Sequence, residues 1–138
     1  MRQHSIKATL LIHKTLVDDT EFIKLIPENS IWPVVVKEDQ KYPYMVIKRD
    51  SIQPDRGNKD FWPDIITFSL EVYSSNYNET VEIADAARFL LEGKIIQDEN
   101  LRLEHIELNG SAEDFVQDAY VQTMGFKANV LKPRIVTN

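Results

Sequence analysis

The sequence predicts an α+β fold, with a mainly antiparallel sheet of about four to five strands and two main helices packed on one face. Residues 66–73 alternate apolar and polar side chains, which is typical of a strand with one buried face. Residues 5–17 and 78–92 are instead rich in apolar residues arranged as in helices. Because the remaining strand-like segments follow one another without helices between them, antiparallel pairing is favoured.

Composition narrows the classes of protein to consider. The 138 residues are typical of one domain and carry a formal net charge of −6, so the chain repels phosphate backbones and we expect no specific nucleic-acid binding. The absence of cysteine excludes disulfides and a cysteine nucleophile. The N-terminus lacks the apolar core of a signal peptide, and no apolar run approaches the roughly 18 residues of a membrane span. We therefore expect a cytoplasmic protein without a membrane partner.

The first third of the chain is predicted to be helical and then extended. Residues 5–17 are dense in apolar side chains and suit a helix packed against a sheet. A second short helix over residues 21–26 is predicted to be capped by Asp18 and to end before Pro27, because the residue preceding a proline avoids helical geometry. Residues 30–36 are predicted to be extended and to lie at a sheet edge or before a true strand, since the proline within them cannot donate to a ladder.

The middle of the chain is predicted to contain two strands, a long loop and the second main helix. A Pro-Tyr pair opens a strand over residues 45–49, and a loop over residues 50–64 separates it from the alternating strand. The helix over residues 78–92 is predicted to have Asn78 as its N-terminal cap and Gly93 as its C-terminal stop.

The C-terminal part is predicted to contain two strands. In residues 101–108 the apolar positions change parity, which indicates a β-bulge or bend between Glu104 and Ile106. Gly110 is predicted to start a loop, and residues 119–131 form a long strand.

Five short motifs occur in a fixed order along the chain. They are Ile31-Trp32-Pro33, Pro43-Tyr44-Met45-Val46-Ile47, Leu70-Glu71-Val72-Tyr73-Ser74, the Ala-rich helical segment 83–91 and the alternating segment 120–130. Their order and spacing resemble the tail-completion (tail-terminator) proteins of long-tailed bacteriophages and prophages. The resemblance covers residues 5–131, and the chain departs from the family pattern in its longer and more charged segment 97–118.

The resemblance implies a single tail-terminator-like domain over residues 1–138, with a core of 5–131 and a flexible C-terminal arm of 132–138. It implies a structural protein that forms a ring with copies of itself, often of six subunits. Such a ring ends the tail tube and joins it to the head connector, so the implied partners are the tail-tube and head-connector proteins. The implied location is the cytoplasm of the bacterial host during assembly, and the virion tail in an active phage. The alternative is a non-catalytic adaptor or binding module of another secretion or conjugation apparatus.

A set of aromatic and basic residues is the candidate interface, because aromatic side chains are enriched in the buried centres of protein interfaces. Its members are Tyr42, Pro43, Tyr44, Arg56, Phe61 and Trp62. The alternative is that the aromatic members fold back and cover the chain's own sheet.

The sequence offers no recognisable catalytic or metal-binding motif. His105 and Glu107 are two candidate metal ligands, which is too few for a site, and a solvated surface explains them better. No Gly-x-Ser-x-Gly segment and no glycine-rich phosphate loop is present. We therefore expect no enzymatic activity, no cofactor and no bound metal.

Overall fold

The computed structural model describes residues 3–37, 39–54 and 63–134. Within these residues the chain forms three α-helices and six strands. The helices are α1 (Ala8–Val17), α2 (Phe22–Leu25) and α3 (Tyr77–Leu91). The strands are β1 (Ile31–Pro33), β2 (Tyr44–Pro54), β3 (Asp64–Ser74), β4 (Ile96–Gln97), β5 (Arg102–Val116) and β6 (Ala119–Leu131). None of the helices in this part of the chain is long and apolar enough to cross a membrane.

The strands form one curled, mixed sheet in the order β1-β2-β3-β6-β5-β4. β1 runs parallel to β2 and every other neighbouring pair is antiparallel, which confirms the predicted α+β class and the mainly antiparallel sheet. The predicted number of four to five strands is too low. The strand missed is β4, whose two residues are too few to produce a periodic pattern in a sequence. β1 lies within the extended segment predicted over residues 30–36 and at an edge of the sheet.

The core lies on one face of the sheet. The alternating residues of β3, Ile66, Phe68, Leu70 and Val72, are all fully buried. In the register of the sheet Phe68 lies opposite Phe126 of β6, and their rings stack at 5.2 Å between centroids. α1 and α3 pack into the same cluster through Ala8, Leu11, Ile12, Leu16, Ile83, Ala84, Ala87 and Leu91. Burying each large apolar side chain contributes about 1.5–3 kcal/mol, so this face supplies most of the apolar stabilisation.

α1 and α2 lie near their predicted positions, but their junction differs. α2 is capped by Asp19 rather than by Asp18, because the Asp19 Oδ1 atom accepts the backbone N–H of Phe22 at 2.9 Å. Asp18 instead ends α1, where its carboxylate accepts a hydrogen bond from Lys14 Nζ at 2.7 Å. Two adjacent aspartates fit the capping pattern equally well in sequence, and tertiary packing selects the second.

α3 begins one residue earlier than predicted. Its cap is Asn76, whose Oδ1 atom accepts the N–H of Glu79 at 3.1 Å, whereas Asn78 lies inside the helix. The prediction that Gly93 ends the helix is confirmed. Gly93 has a φ of +74°, a conformation that would be strained in a residue with a Cβ atom.

β2 is longer than predicted, because it continues past Arg49 to Pro54. Residues 50–54 pair with β3 instead of starting a loop, with one irregularity between Arg49 and Ser51. Most side chains in this part of β2 are exposed, so apolar and polar residues do not alternate along it. The sequence of these residues therefore resembles that of a loop.

β5 confirms one prediction and overturns another. The bulge lies where the parity changes, with a register shift between Glu104 and Glu107 and a φ of 54° at His105. The loop predicted from Gly110 is absent, since β5 continues to Val116 and turns through two left-handed residues that follow it. Because this part of β5 leaves the core, its side chains are exposed and show no burial-driven alternation.

β1 ends in a strained turn. Val34 has a φ of 63°, and the N–H of Val35 donates to the carbonyl of Pro33 at 2.6 Å, closing a γ-turn. A β-branched residue rarely adopts this conformation. The side chains of Val34 and Val35 are 65% and 70% exposed, so an apolar pair faces outward beside the end of β1.

The described start of the predicted C-terminal arm contacts β4. The backbone N–H of Arg134 donates to Gln97 Oε1 at 3.0 Å, and Gln97 Nε2 donates to the Arg134 carbonyl at 3.3 Å. Residues 135–138 lie outside the described residues. The division into a core of 5–131 and an arm of 132–138 stays a prediction.

Candidate functional site

Three tyrosines form a stack on the face of the sheet opposite the core. Tyr44 of β2 lies opposite Tyr73 of β3, with ring centroids 4.7 Å apart, and Tyr42 stacks on Tyr44 at 5.5 Å. The stack follows from strand alternation, because residues 44 and 73 have the parity opposite to that of the core side chains. We call Tyr42, Tyr44 and Tyr73 the tyrosine stack.

Tyr44 and Tyr73 of the stack are held in the neutral form. Partial burial raises the pKa of Tyr73 to about 12, and the neighbouring Glu71 carboxylate adds to the shift. The Tyr73 hydroxyl donates to Glu71 Oε2 at 3.3 Å. Burial also raises the pKa of Tyr44, with smaller contributions from Tyr42 and Glu71. Phenols with raised pKa values serve poorly as bases at neutral pH, and the stack fits a contact surface better than a catalytic site.

The predicted interface residues are only partly described. Tyr42 and Tyr44 belong to the stack and not to the core cluster, and Pro43 between them is half-buried. Arg56, Phe61 and Trp62 lie outside the described residues. The role of the whole set in an interface stays a prediction.

A second aromatic group lies at the tip of the β5–β6 hairpin and was missed by the sequence analysis. The ring of Tyr120 is 4.9 Å from that of Phe115 and 5.6 Å from that of Tyr77 at the start of α3. These three residues, called here the tip cluster, are 37–55% exposed. The cluster escaped sequence analysis because residues 110–116 gave no strand signal, so Phe115 could not be placed opposite Tyr120.

Glu113 joins the tip cluster to the core. Its Oε2 atom accepts hydrogen bonds from the Tyr77 hydroxyl at 2.5 Å and from Gln122 Nε2 at 2.6 Å. The Gln122 and Tyr77 bonds lower the pKa of Glu113, and the same carboxylate raises the pKa of Tyr77. Gln122 is buried and also reaches Thr80 of α3 at 3.4 Å. The tip is therefore fixed by a polar link as well as by the aromatic contacts of the tip cluster.

β5 has a covered part and an uncovered part along its outer side. β4 pairs with it at Arg102 and Leu103. Further on, the N–H of Gly93 donates to the Ile106 carbonyl at 2.8 Å, and Glu92 Oε2 accepts the N–H of Leu108 at 2.7 Å. Within the described residues no strand pairs with the outer side beyond this point. We call Asn109–Val116 the free β5 edge.

β2 has a matching uncovered part at the other end of the sheet. β1 pairs with it only from Met45 to Ile47. Beyond them, no backbone hydrogen bond to a partner other than β3 is found in the described part of the chain. We call Lys48–Gln53 the free β2 edge; Pro54, which follows it, has no N–H to donate. Unpaired edges of this kind are templates for pairing with another chain.

Side chains suited to holding a metal ion are not brought together in the described residues. They contain no cluster of three or more histidine or acidic side chains that could hold a metal ion. His105 is exposed within the bulge of β5. A shallow depression beside α3 has acids and bases in alternation, and Arg88 within it is paired with Glu92 at 2.9 Å.

Comparisons with known proteins show the fold. No family model matches the chain, and no curated protein matches it in sequence. Among solved structures, a chain from the virion of a native gene transfer agent (GTA) particle is similar, with a TM-score of 0.76 and 15% identity over 88% of this chain and 92% of that one. A second solved chain has a TM-score of 0.67 and 13% identity, over 98% of this chain and 99% of that one. At these identities the likeness concerns the fold alone.

Proposed function

We propose that this chain is a structural protein of a phage-like virion. The similarity to a chain of a GTA particle covers most of both chains, so it concerns nearly the whole fold and not a shared fragment. The described surface offers stacked aromatic residues and unpaired strand edges rather than converging reactive groups. Both features suit a protein that acts by contact with other subunits and not by catalysis.

The more specific proposal is a tail-completion ring that ends the tail tube and docks the head connector. The observation that carries it is the position of the two free edges on opposite sides of one sheet. Two different surfaces on one subunit allow head-to-tail contacts, and such contacts produce rings when the rotation between subunits closes. The partners are then copies of the chain, the tail-tube protein and the head-connector protein.

The test uses tubes assembled from the tail-tube protein of the same genome. We expect the purified chain to bind at tube ends and to stop further elongation, because a ring that matches the tube cross-section removes the growing surface. Electron microscopy of tube lengths with and without the chain measures both effects. Binding along the sides of the tubes, or continued growth with the chain in excess, would contradict the tail-completion role.

The same experiment separates this function from that of an adaptor in another secretion or conjugation apparatus. An adaptor has no reason to recognise a tail tube, so tube lengths would stay unchanged. Bovine serum albumin of similar acidity provides the control for non-specific blocking of tube growth.

A further inference from the structure

We propose that the free β5 edge of one copy pairs with the free β2 edge of a second copy of this chain, as antiparallel strands. This contact rests on the proposed ring-forming function, and it adds the surface and the geometry through which neighbouring copies would meet. It follows from strand direction, from strand level and from the distribution of charge and apolar side chains.

Strand direction gives the antiparallel arrangement. Three successive antiparallel pairings connect β2 to β3, β3 to β6 and β6 to β5, so β5 and β2 run in opposite directions. A second copy, placed beside β5 with the same face of its sheet toward the core side, presents β2 antiparallel to β5. Antiparallel strands form the straight ladder of hydrogen bonds that stabilises hairpins.

The register of the sheet gives the stagger between copies along the strand direction. Followed across β3 and β6, the pairing places Ala112 of the free β5 edge at the same height in the sheet as Val46 of β2. The free β2 edge is centred further along the strand, near Ser51. Because of the register shift between Arg49 and Ser51, the offset is four residues along β3, or about 13 Å, and one copy contributes four strand spacings to the continuous sheet, or about 19 Å. The resulting strand tilt is about 35°, at the lower end of the range of roughly 35–45° found in closed barrels.

The same stagger limits the length of the ladder and matches apolar groups. It places β1 of the second copy level with Phe115 to Gln117, so the ladder between the copies is confined to Gly110–Asp114, opposite Lys48–Gln53. The exposed Phe115 and Val116 then approach the exposed Val34–Val35 pair of the second copy, beside the end of its β1. Apolar area that each copy exposes alone is removed from water in the contact.

Charge favours this pairing over pairing of two β5 edges with each other. Glu113, Asp114 and Asp118 lie towards the end of the edge and its turn, and no lysine or arginine lies between Asn109 and Asp118. Two such edges in antiparallel contact would bring like charges together, which is destabilising. The free β2 edge begins with Lys48 and Arg49, and antiparallel pairing brings this basic start against the acidic end of β5.

The test uses the absence of natural cysteines. Chains carrying Ala112→Cys and chains carrying Ser51→Cys are mixed and treated with a short bis-maleimide. We expect crosslinked dimers in the mixture and not in either variant alone, because the contact joins different edges. Ala112→Cys mixed with Glu21→Cys is the matched control, since Glu21 is exposed but lies between α1 and α2.

Charge reversal provides the second arm of the test. Lys48→Glu and Asp114→Lys should each weaken self-association about two- to fivefold in sedimentation velocity, and mixing the two variants should restore part of the loss. Circular dichroism verifies that the variants fold. Glu99→Lys, on an exposed residue between β4 and β5, is the control for net charge.

The outcomes separate this contact from the proposed function. Self-association without the mixed crosslink, or crosslinking of Ala112→Cys chains alone, overturns the edge pairing and leaves the ring intact. The mixed crosslink together with unchanged tube growth supports the pairing and overturns the tail-completion role. A chain that stays monomeric at every concentration and gives no crosslink overturns the pairing, while the tube experiment judges the function independently.

Discussion

The base and the tip of the β5–β6 hairpin share one ladder but differ in what covers them. At the base, Leu103, Phe126 and Val130 are fully buried in the core. At the tip, Phe115 and Val116 are 55% and 48% exposed, although backbone pairing continues as far as the turn. The base is therefore held by core packing, and the tip by backbone pairing, the Glu113 link and the exposed aromatic contacts of the tip cluster. A regular strand therefore need not be part of a core, and a strand that nothing covers is available for assembly.

The largest expected effect separates the two ends of the hairpin. Phe126→Ala at the base should lower the free energy of unfolding by about 3–5 kcal/mol, because it leaves a cavity beside Phe68. Phe115→Ala at the tip should lower it by only about 0.5–1.5 kcal/mol, because it removes the ring contact with Tyr120 but leaves no buried cavity. Urea unfolding followed by circular dichroism measures both. Similar losses for the two variants would show that the tip belongs to the folding core.

The next effect concerns the junction between base and tip. Gln122→Ala should lower the free energy of unfolding by about 1–3 kcal/mol, because the buried amide donates to both Glu113 and Thr80. Thr123→Ala, on the neighbouring position and the opposite face, is the matched control. If the two variants unfold at the same urea concentration, the polar link does not hold the tip.

Alkaline pH provides a smaller effect, on the face opposite the core. The pKa of Tyr73 in the folded chain, about 12, lies above the usual value of 10.0, so folding favours the neutral phenol. This contribution is fully present below pH 10 and is lost as the pH rises through about 12. Tyr73→Phe should reduce the loss of stability over this window, as measured by thermal unfolding at successive pH values. An unchanged profile would argue against the buried position of the phenol.

The smallest effect tests the boundary of the free β5 edge. Glu92→Gln should increase hydrogen exchange at the Leu108 amide and leave the amides of β3 unchanged, because the carboxylate accepts the Leu108 N–H. That bond, followed by the one from Arg88, lowers the pKa of Glu92, so the cap should persist as the pH falls to the usual value of 4.5. Glu104→Gln, elsewhere on β5, is the control. If the Leu108 amide exchanges at the same rate in the wild type and in Glu92→Gln, the Glu92 carboxylate does not protect it, and the free β5 edge includes Leu108.

Sequence patterns predicted the elements whose side chains face the core. The alternation from Ile66 to Val72 is also the burial pattern of β3, and the parity change near Ile106 marked the bulge correctly. Both patterns arise because one face of each strand is buried, so that every second residue along the strand is apolar. The helices were located for the same reason, to within one or two residues at most ends.

The uncovered elements could not be predicted in this way. Residues 110–116 are exposed, and within residues 50–54 only Ile52 packs against the core, so the core constrains few of these side chains. The hairpin turn at Gln117 and Asp118 also lacks the Asn-Gly or Asp-Gly pair that usually marks two left-handed residues. Of the candidate interface, Tyr42 and Tyr44 were recognised as a pair, whereas Tyr73 was assigned only to the open face of its strand.

The γ-turn after β1 makes position 34 a place to engineer the chain for structural work. A left-handed conformation costs a residue with a side chain about 1–2 kcal/mol, and the extra backbone freedom of glycine in the unfolded chain costs about 0.5–1 kcal/mol. Glycine at this position would thus leave a modest net gain in thermal tolerance. The gain requires no repacking, since Val34 points into solvent in the isolated subunit.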